Sequence, residues 1–349
     1  MKPRTAAVGA LVALVVVGAS VWVIRGGGDA KPLPGSSLRT LAKQRGIEIG
    51  TAVRDDVLMR NRAYRELVAA QFSSVTPENE MKWDAIEPAR GEYDFGAADD
   101  IVKRAQEAGQ QVRGHTLVWY AQLPRWVRDL GPTALRQAMR EHIRHVMAHY
   151  AAHVGVWDVV NEPIADDGEL GRSVFERRLG PGFIEDAFRT ARVADRNAKL
   201  YLNEIGAEGI NPKSNRLYEI VRDLKARGVP IDGVGFQTHA NLGGLAPDFV
   251  ANMQRFEALG LDVAITEADV ALKLAPSAAD LQAQADVYTR IVRACLTVRC
   301  TSLTFWGFTD GRSWISETQA GMGAATLLDA QLRPKPAFGA VQAVLRGGG

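Results

Sequence analysis

The sequence predicts an α/β fold, a single domain built as a closed (β/α)8 TIM barrel, and three observations support this prediction. Apolar strand-like segments alternate with helical segments eight times along the chain, which favours a parallel sheet. The strand-like segments are apolar on both faces, as expected of strands covered by helices. Polar or aromatic residues follow these segments directly, at the end of the strand where a barrel places its functional groups.

The eight predicted strands are short runs rich in apolar residues. They cover residues 47–53, 73–76, 111–119, 155–161, 199–203, 233–238, 263–266 and 303–308. An open doubly wound sheet is the alternative fold. No glycine-rich phosphate loop follows the first strand, which argues against a nucleotide-binding sheet of that kind.

The predicted helices lie between these strands and after the last one. They cover residues 61–71, 98–108, 134–151, 183–196, 213–227, 247–259, 280–297 and 336–345. Residues 134–151 show the clearest helical period, with an apolar stripe formed by Leu135, Met139, Ile143, Val146, Met147 and Tyr150. Gly109, Gly228 and Gly260 stand just past helix ends, where a left-handed cap is favoured.

Composition and charge are those of an ordinary globular protein. Of the 349 residues, 46% are hydrophobic and 23% are charged, and the formal net charge is +2. The length allows a large core, and it also suits a single α/β barrel. No dense block of Lys or Arg occurs, so the sequence predicts no nucleic-acid partner.

The N-terminal segment differs from the rest of the chain. Lys2 and Arg4 precede an apolar run at residues 6–24, which is typical of a secretory signal but is also just long enough to span a bilayer. A buried core helix is less favoured because the run has no polar face. We therefore expect residues 1–25 to form a signal peptide or a membrane anchor, and residues 26–37 a flexible linker. The protein is then secreted, periplasmic or anchored facing outward, with possible membrane association.

Two further sequence features have competing interpretations. Cys295 and Cys300 are close in sequence, and downstream of an export segment they form either a local disulfide or two reduced core cysteines. His142, His145, His149 and His153 recur at helical spacing, which could bind a metal. We favour a polar outer face of a barrel helix, and we predict no metal site.

Two glutamates are the strongest candidates for catalysis. Glu162 and Glu267 each follow an apolar strand, which holds a carboxylate rigidly and partly desolvated. Two such carboxylates at one mouth are what cleavage of a glycosidic bond requires. His239 is a candidate donor to Glu267, and Asp269 could orient that histidine. This arrangement would keep Glu267 ionised as the nucleophile and leave Glu162 as the acid/base catalyst.

Aromatic residues near the strand ends support a sugar ligand. Trp83, Trp119, Trp306 and Trp314 lie in or just after strand-end segments. Flat indole rings offer apolar faces to pyranose rings, while polar neighbours fix the orientation of the sugar.

Six segments, in order along the chain, carry a resemblance to a known family. The chain resembles glycoside hydrolase family 10, the retaining endo-β-1,4-xylanases, from about residue 41 to residue 345. Single pieces of this set are weak signals, but six in order are highly specific. The segments are VTPENEMKWD at 75–84, RGHTLVW at 113–119 with QLPRW at 122–126, WDVVNEP at 157–163, GFQTH at 235–239, ITE at 265–267, and FWGFTD at 305–310 with SW at 313–314.

The resemblance implies a catalytic domain over residues 38–349, which acts on xylan or xylo-oligosaccharides without a metal or organic cofactor. It implies the same roles for Glu162 and Glu267, and we expect a monomer. Residues that would contact the sugar two places from the cut are Glu78, Asn79 and Lys82. Residues that would surround the sugar at the cut are His115, Trp119, Gln122, Asn161, Gln237 and His239. Trp306 and Trp314 would roof the cleft and crowd C5, which favours xylose over glucose.

Departures from the family pattern concern mainly the leaving-group side. Tyr120 stands where the family has histidine, and we expect a shifted pH optimum or an altered leaving-group side of the cleft. The segment Asn203-Glu204-Ile205-Gly206 replaces Asn-Asp-Tyr-Asn and so lacks an aromatic and an amide. The spacing of the two cysteines is one residue shorter than expected for the family.

Two other functions stay open. A related barrel enzyme could cut another β-glycan, although Lys82, Trp306 and Trp314 match the xylan pattern. A tethered glycan-binding protein without catalysis is the other alternative, and the presence of both glutamates and His239 argues against it.

Overall fold

The computed structural model describes residues 33–170 and 173–347. The predicted signal or anchor at residues 1–25 lies outside these residues, as does the predicted linker up to residue 32. Within the two described ranges, no helix combines the length and the apolar character needed to cross a membrane.

Eight parallel strands close into a barrel, which confirms the predicted fold class. The first strand pairs in parallel with both the second and the last, so the barrel has no open edge between them. The other neighbouring strands are also parallel. The strands are β1 (Glu48–Val53), β2 (Ser74–Pro77), β3 (Gln111–Val118), β4 (Val156–Asn161), β5 (Lys199–Glu204), β6 (Gly233–Phe236), β7 (Asp262–Lys273) and β8 (Ser302–Phe305).

Glycines on the strands make room for large side chains on the neighbouring strands. Trp157 on β4 is fully buried, and its ring lies against the backbone of Gly114 on β3. A Cβ atom on Gly114 would lie 2.2 Å from Cε3 of Trp157, so no larger residue fits there. Gly235 on β6 leaves room in the same way for the side chain of Asn203, whose Oδ1 would be 2.2 Å from an added Cβ. These glycines therefore let their neighbours pack closely: Asn203 lies inside the barrel, and Trp157 lies on the outer side of the sheet, beside Tyr150 at the end of the helix Pro132–His149.

Strand β7 is longer than the sequence predicts, because it continues past Thr266 to Lys273. Two short strands pair with this extension and so satisfy its backbone groups. His239–Asn241 runs parallel to it, with His239 opposite Asp269, and Met322–Gly323 runs antiparallel to its end. The extension places Asp269 on a strand directly beside His239.

The eight predicted helices are present, with ends that differ by a few residues. They are Arg62–Gln71, Gly96–Glu107, Pro132–His149, Phe183–Ala194, Pro212–Ala226, Phe249–Glu257, Ala278–Val298 and Pro336–Arg346. The described residues also contain short helices that the sequence analysis did not predict. These are Leu38–Arg45, Asp55–Arg60, Trp83–Ile86, Arg125–Asp129, Val174–Leu179, Trp314–Thr318 and the single 3₁₀ turn Asp310–Arg312.

The helix Leu38–Arg45 packs against the C-terminal helix Pro336–Arg346. Its first residue is fully buried. Ser37 caps its start by accepting a hydrogen bond from the Thr40 N–H at 3.1 Å, and Gly46 ends it with a φ of 74°. The described part of the chain thus begins and ends on the same side of the barrel.

The expected polar outer face is wrong for His142. This side chain is fully buried, and its ring stacks on Trp83 with centroids 4.0 Å apart. Nδ1 of His142 lies 3.2 Å from Oε2 of Glu87, which also accepts the indole N–H of Trp83 at 3.0 Å. Burial lowers the pKa of His142, although its contact with Glu87 acts in the opposite direction. The Glu87 carboxylate provides the buried imidazole of His142 with a hydrogen-bonding partner.

The other three histidines of the stripe are exposed, as predicted. His149 stacks on Phe95 and His145 on Tyr93, so the outward face of this helix is partly aromatic. In residues 33–170 and 173–347, no cluster of three or more His, Cys, Asp or Glu side chains could hold a metal ion.

A disulfide joins Cys295 and Cys300. It links the end of the helix Ala278–Val298 to the residues just before β8, and both cysteines are buried. Of the two interpretations left open by the sequence, the structure has the disulfide.

Candidate active site

The backbone fixes both candidate glutamates at the C-terminal mouth of the barrel. Glu162 follows β4 and has a φ of 52°, in the left-handed region, and its N–H donates to the carbonyl of Asn203 at 2.9 Å. Glu267 lies within β7, and its N–H donates to the carbonyl of Gln237 at 3.0 Å. Each glutamate is thus held by a neighbouring strand.

Glu267 lies in a charged environment. Its carboxylate is buried and accepts a hydrogen bond at Oε1 from Nδ2 of Asn203, at 2.7 Å. Nε2 of His239 lies 3.2 Å from the other oxygen, Oε2. Nδ1 of the same histidine lies 3.0 Å from Oδ2 of Asp269. Oδ2 of Asp269 also accepts the indole N–H of Trp314 at 2.8 Å.

The His239 ring is therefore an imidazolium between two carboxylates. Burial by itself would lower the pKa of His239, but the charge of Asp269 and contacts with both carboxylates raise it to about 10. Burial would likewise raise the pKa of Glu267, but the hydrogen bond from His239 and the charges of His115 and His239 lower it below its ordinary value. Glu267 is thus held as a carboxylate.

Glu162 has a different set of partners. Its Oε2 accepts the indole N–H of Trp119 at 3.0 Å, and its Oε1 accepts the amide of Gln237 at 2.8 Å. Nδ2 of Asn161 lies 3.3 Å from the same Oε1. These three donors are neutral, in contrast to the cation beside Glu267. The glutamate is also partly exposed to the cleft.

Amide side chains connect the two glutamates. Oδ1 of Asn161 accepts hydrogen bonds from Asn203 at 2.9 Å and from Gln237 at 3.3 Å. Asn203 also contacts Glu267, and Gln237 contacts Glu162, so one hydrogen-bonded chain runs from carboxylate to carboxylate. Asn203 was predicted to end a strand, without a functional role. Its signal was a polar residue near the end of β5.

A second group lines the cleft beside Trp119. Nζ of Lys82 donates to Oε1 of Gln122 at 2.6 Å and lies 3.3 Å from Oδ1 of Asn79. The amide of Gln122 donates to the same Asn79 oxygen at 3.1 Å. The ammonium of Lys82 also lies 4.8 Å from the centroid of the Trp119 ring. Glu78 precedes Asn79 at the end of β2 and is buried.

Burial shifts the pKa values of Glu78 and Lys82 in the direction that favours the uncharged form of each group. It raises the pKa of Glu78 to about 7, although Arg54 and Lys82 oppose the shift. It lowers the pKa of Lys82, although three glutamates, Glu267 first among them, oppose that shift. A carboxyl group and an ammonium with shifted pKa values in one cleft are typical of a functional site, and they offer hydrogen-bond acceptors and donors to sugar hydroxyls.

His115 and Trp306 complete the floor and roof of the cleft. Their rings meet edge to face with centroids 5.2 Å apart. Nδ1 of His115 lies 3.0 Å from Oδ2 of Asp158. Arg113 donates to both carboxylate oxygens of Asp158, from Nε at 3.1 Å and from a terminal nitrogen at 2.5 Å. Sequence reasoning missed Asp158 and Arg113. Their signal was a charge inside each of two otherwise apolar strands.

The structure brings both predicted catalytic glutamates and the predicted sugar-binding residues other than Trp83 to this mouth. Two other strand-end residues point elsewhere. Trp83 is buried against His142, so it is not a sugar platform and that expectation is wrong. Asp310 pairs with Lys335 at 3.0 Å and accepts hydrogen bonds from Thr326. It therefore connects the end of β8 to the segment that precedes the last helix.

The side of the cleft beyond Glu162 opens into a pocket of about 770 Å³. Glu204 lies beneath it, fully buried, and accepts the N–H of Ile164 at 3.2 Å. Lys213 bridges Glu204 and Asp166, at 3.2 Å from each. Burial raises the pKa of Glu204 to about 8, although Lys213 acts in the opposite direction. Glu204 thus anchors the loop that follows the acid/base candidate.

A (β/α)8 barrel in which two carboxylates from separate strands enter one open cleft, each in unlike surroundings, defines the class of barrel glycosidases. Comparison with known proteins gives the family. The model of glycosyl hydrolase family 10 matches residues 37–344, and the chain belongs to this family.

Relatives and solved structures of high similarity agree with this assignment. An endo-1,4-beta-xylanase of Agaricus bisporus is 40% identical over 272 residues, which cover 77% of this chain and 82% of that protein. The crystal structure of native xylanase 10B from Thermotoga maritima has a TM-score of 0.87 and 42% identity, covering 89% of this chain and 98% of that one. Xylanase 10B from Thermotoga petrophila RKU-1, in complex with xylobiose, has a TM-score of 0.88 and 40% identity, covering 91% and 99%.

Proposed function

We propose that the chain hydrolyses internal β-1,4-xylosidic bonds of xylan with retention of anomeric configuration. Glu267 is the nucleophile and Glu162 is the acid/base catalyst. Membership of the family supports this substrate, as do relatives that are endo-1,4-beta-xylanases, one of them in complex with xylobiose. The observation that carries the division of roles is the unlike surroundings of the two carboxylates. Glu267 borders the imidazolium of His239, whereas Glu162 has neutral donors.

The first half of the reaction forms a covalent intermediate. The Glu267 carboxylate attacks the anomeric carbon, the glycosidic C–O bond breaks, and Glu162 donates its proton to the departing oxygen. His239 keeps Glu267 ionised and aimed until the bond forms. Asn203 donates to Oε1 and so fixes the orientation of the carboxylate.

The second half releases the sugar. Water attacks the anomeric carbon, the ester bond to Glu267 breaks, and the Glu162 carboxylate takes the proton of that water. The chain Gln237–Asn161–Asn203 joins the two glutamates, so it holds their separation fixed across both steps. In this proposal Glu78, Asn79 and Lys82 bind the sugar on the non-reducing side. His115, Trp119, Gln122, Trp306 and Trp314 enclose the sugar at the cut.

Parallel assays on xylan, mannan and carboxymethyl cellulose test the substrate. We expect xylo-oligosaccharides from xylan and at least about tenfold lower rates on the other two polymers. Faster cleavage of either of these would show a different β-glycanase, and no cleavage of any would indicate a binding protein. Proton NMR of the first-formed products tests the stereochemistry. An initial α-anomer would overturn the assignment of Glu267 as nucleophile, because it means inversion.

Glu267→Ala tests the nucleophile directly. We expect kcat to fall by at least about 10⁴, while calorimetry still detects binding of xylo-oligosaccharides. Azide should restore release of the aryl group from an aryl β-xylobioside, since it fits the vacated space and attacks the anomeric carbon to give an α-azide. Glu162→Ala is the matched comparison, because azide would instead give a β-azide from the covalent intermediate. A β-azide from the Glu267→Ala variant would contradict the proposal.

We also propose that the protein acts outside the cytoplasm. The disulfide between Cys295 and Cys300 supports this location, since such bonds persist in oxidising compartments. N-terminal sequencing of the exported protein tests it. A mature chain that begins between residues 20 and 38 fits a cleaved signal, and a full-length chain recovered only from cytosol would refute the proposal.

A further inference from the structure

Tyr120 is an unusual surface residue in this fold. Among residues 33–170 and 173–347 it is the one aromatic side chain with half of its surface exposed. It follows Trp119 at the end of β3, and the two rings meet edge to face with centroids 5.8 Å apart. Despite this contact, half of the tyrosine surface stays exposed, and the residue lines the cleft beside Glu162. An exposed aromatic face at the rim of a cleft is a surface for a ligand.

The exposed ring lies at the pocket beyond Glu162. Tyr120, Glu162, Ile205, Gly206 and Lys213 are among the residues that line this cavity of about 770 Å³. That volume is in the range of pockets that hold small ligands. Ile205 and Gly206, which also line the pocket, provide no aromatic ring. Among the lining residues that the structure describes, Tyr120 is therefore the one aromatic side chain available to a sugar ring.

The position of Glu162 determines which sugar would occupy the pocket. A general acid protonates the oxygen of the departing group, so the departing sugar must lie on the side of Glu162 where that oxygen leaves. This reasoning rests on the proposed function, in which Glu162 is the acid/base catalyst. Among the described residues that line the pocket, Asp166 and Asp167 carry carboxylates and Lys213 is the one ammonium. The excess negative charge favours a neutral sugar over a uronic acid.

We propose that the ring of Tyr120 stacks on the neutral pyranose of the leaving group and so determines how tightly this side of the cleft binds leaving or acceptor sugars. Burial, the charge of Glu162 and a hydrogen bond with it raise the pKa of Tyr120 to about 12, so the phenol stays neutral at working pH. Tyr120 is thus a specificity-determining residue of the leaving-group side.

Competition between water and an acceptor sugar tests this inference. The enzyme is given an aryl β-xylobioside and increasing concentrations of xylobiose. In the transfer reaction a xylobiose hydroxyl attacks the anomeric carbon, the ester bond to Glu267 breaks, and Glu162 takes the hydroxyl proton. The ratio of transfer product to hydrolysis product reports binding of the acceptor. Because both products come from the same intermediate, the ratio does not depend on the amount of folded enzyme.

Two variants of Tyr120 separate the ring from the hydroxyl. We expect Tyr120→Ala to lower the transfer ratio roughly threefold to tenfold at equal acceptor concentration, the range expected for one aromatic contact. Tyr120→Phe keeps the ring and should stay within about twofold of the wild-type ratio. Val193→Ala, at a side chain that is 77% exposed on an outer helix, is the control and should match the wild type.

Three results would refute the inference. A wild-type transfer ratio in Tyr120→Ala would refute the stacking role of Tyr120. It would leave the proposed function intact, because the wild-type enzyme would still cleave the glycoside. An equal loss in Tyr120→Phe and Tyr120→Ala would assign the effect to the hydroxyl and overturn the stacking role. A wild-type enzyme that does not cleave the aryl xylobioside would refute the proposed function and this inference together.

Discussion

Replacing Asp269 by asparagine should move the acidic limb of the pH–activity profile to higher pH. The change keeps the shape of the side chain and removes a buried charge that lies 3.0 Å from Nδ1 of His239. Without that charge the pKa of His239 falls from about 10, and the ring becomes neutral near working pH. Glu267 then loses the cation that lowers its pKa, so it takes up a proton at a higher pH. A protonated Glu267 cannot attack.

The size of the effect follows from the distance. At 3.0 Å and an effective dielectric constant of about 20, one ion pair contributes about 5 kcal/mol, or roughly 4 pKa units. Loss of that interaction would lower the pKa of His239 back toward its ordinary value. A neighbouring charge of this kind shifts a carboxylate by about 1–3 units. We therefore expect the acidic limb to rise by about one to two pH units.

The assay is kcat/KM for an aryl β-xylobioside between pH 4 and pH 9, because this ratio reports ionisation of the free enzyme. Below the new limb, activity should fall about 10- to 100-fold relative to the wild type. Asp310→Asn is the matched control, since Asp310 is also a largely buried carboxylate that pairs with a cation at 3.0 Å, but that cation is Lys335 and not His239. Its limb should not move. A folded Asp269→Asn variant with a wild-type limb would refute the reasoning.

Two further changes test the packing that supports the site. In Gly235→Ala, the added Cβ would displace Asn203, and we expect kcat to fall about tenfold with little change in KM. The control is Gly339→Ala, where an added Cβ meets nothing within 4 Å, and it should keep the wild-type kcat. Equal kcat values in the two variants would count against the role of Asn203. Replacing Cys295 and Cys300 together by serine should cost about 2 kcal/mol and lower the Tm by roughly 5 °C in calorimetry, given a sequence separation of 5, and an unchanged Tm would show that the bond adds no stability.

Local pattern was sufficient for most of the fold, because strands buried on both faces differ clearly from amphipathic helices. It was not sufficient for elements that depend on distant partners. The helix Leu38–Arg45 has eight residues, too few to be stable alone, and it packs on a helix from the other end of the chain. Ser37 and Gly46 marked its ends in the sequence. The extension of β7 depends on strands at His239–Asn241 and Met322–Gly323 that have little pattern of their own.

The candidate site was predictable for a related reason. Parallel strands place their carboxyl ends at one mouth, so residues that follow apolar runs, such as Glu162 and Glu267, come together whatever their sequence separation. Residues within strands were harder. Asp158 lies inside an apolar run, and only the structure shows that it joins Arg113 to His115. Trp83 follows a strand, as predicted, but its side chain packs against His142 and not in the cleft. The sequence alone does not determine this side-chain orientation.

Trp157 and Gly114 constrain each other's evolution, because a substitution at either position alone would lower the stability of the fold. A larger residue at 114 would collide with the indole, and a smaller residue at 157 would leave a void between the barrel and the helix Pro132–His149. The two positions should therefore show strong epistasis, with single variants destabilised and a well-matched double variant restored. A library that randomises both positions together would find folded barrels that a scan of one position at a time would discard.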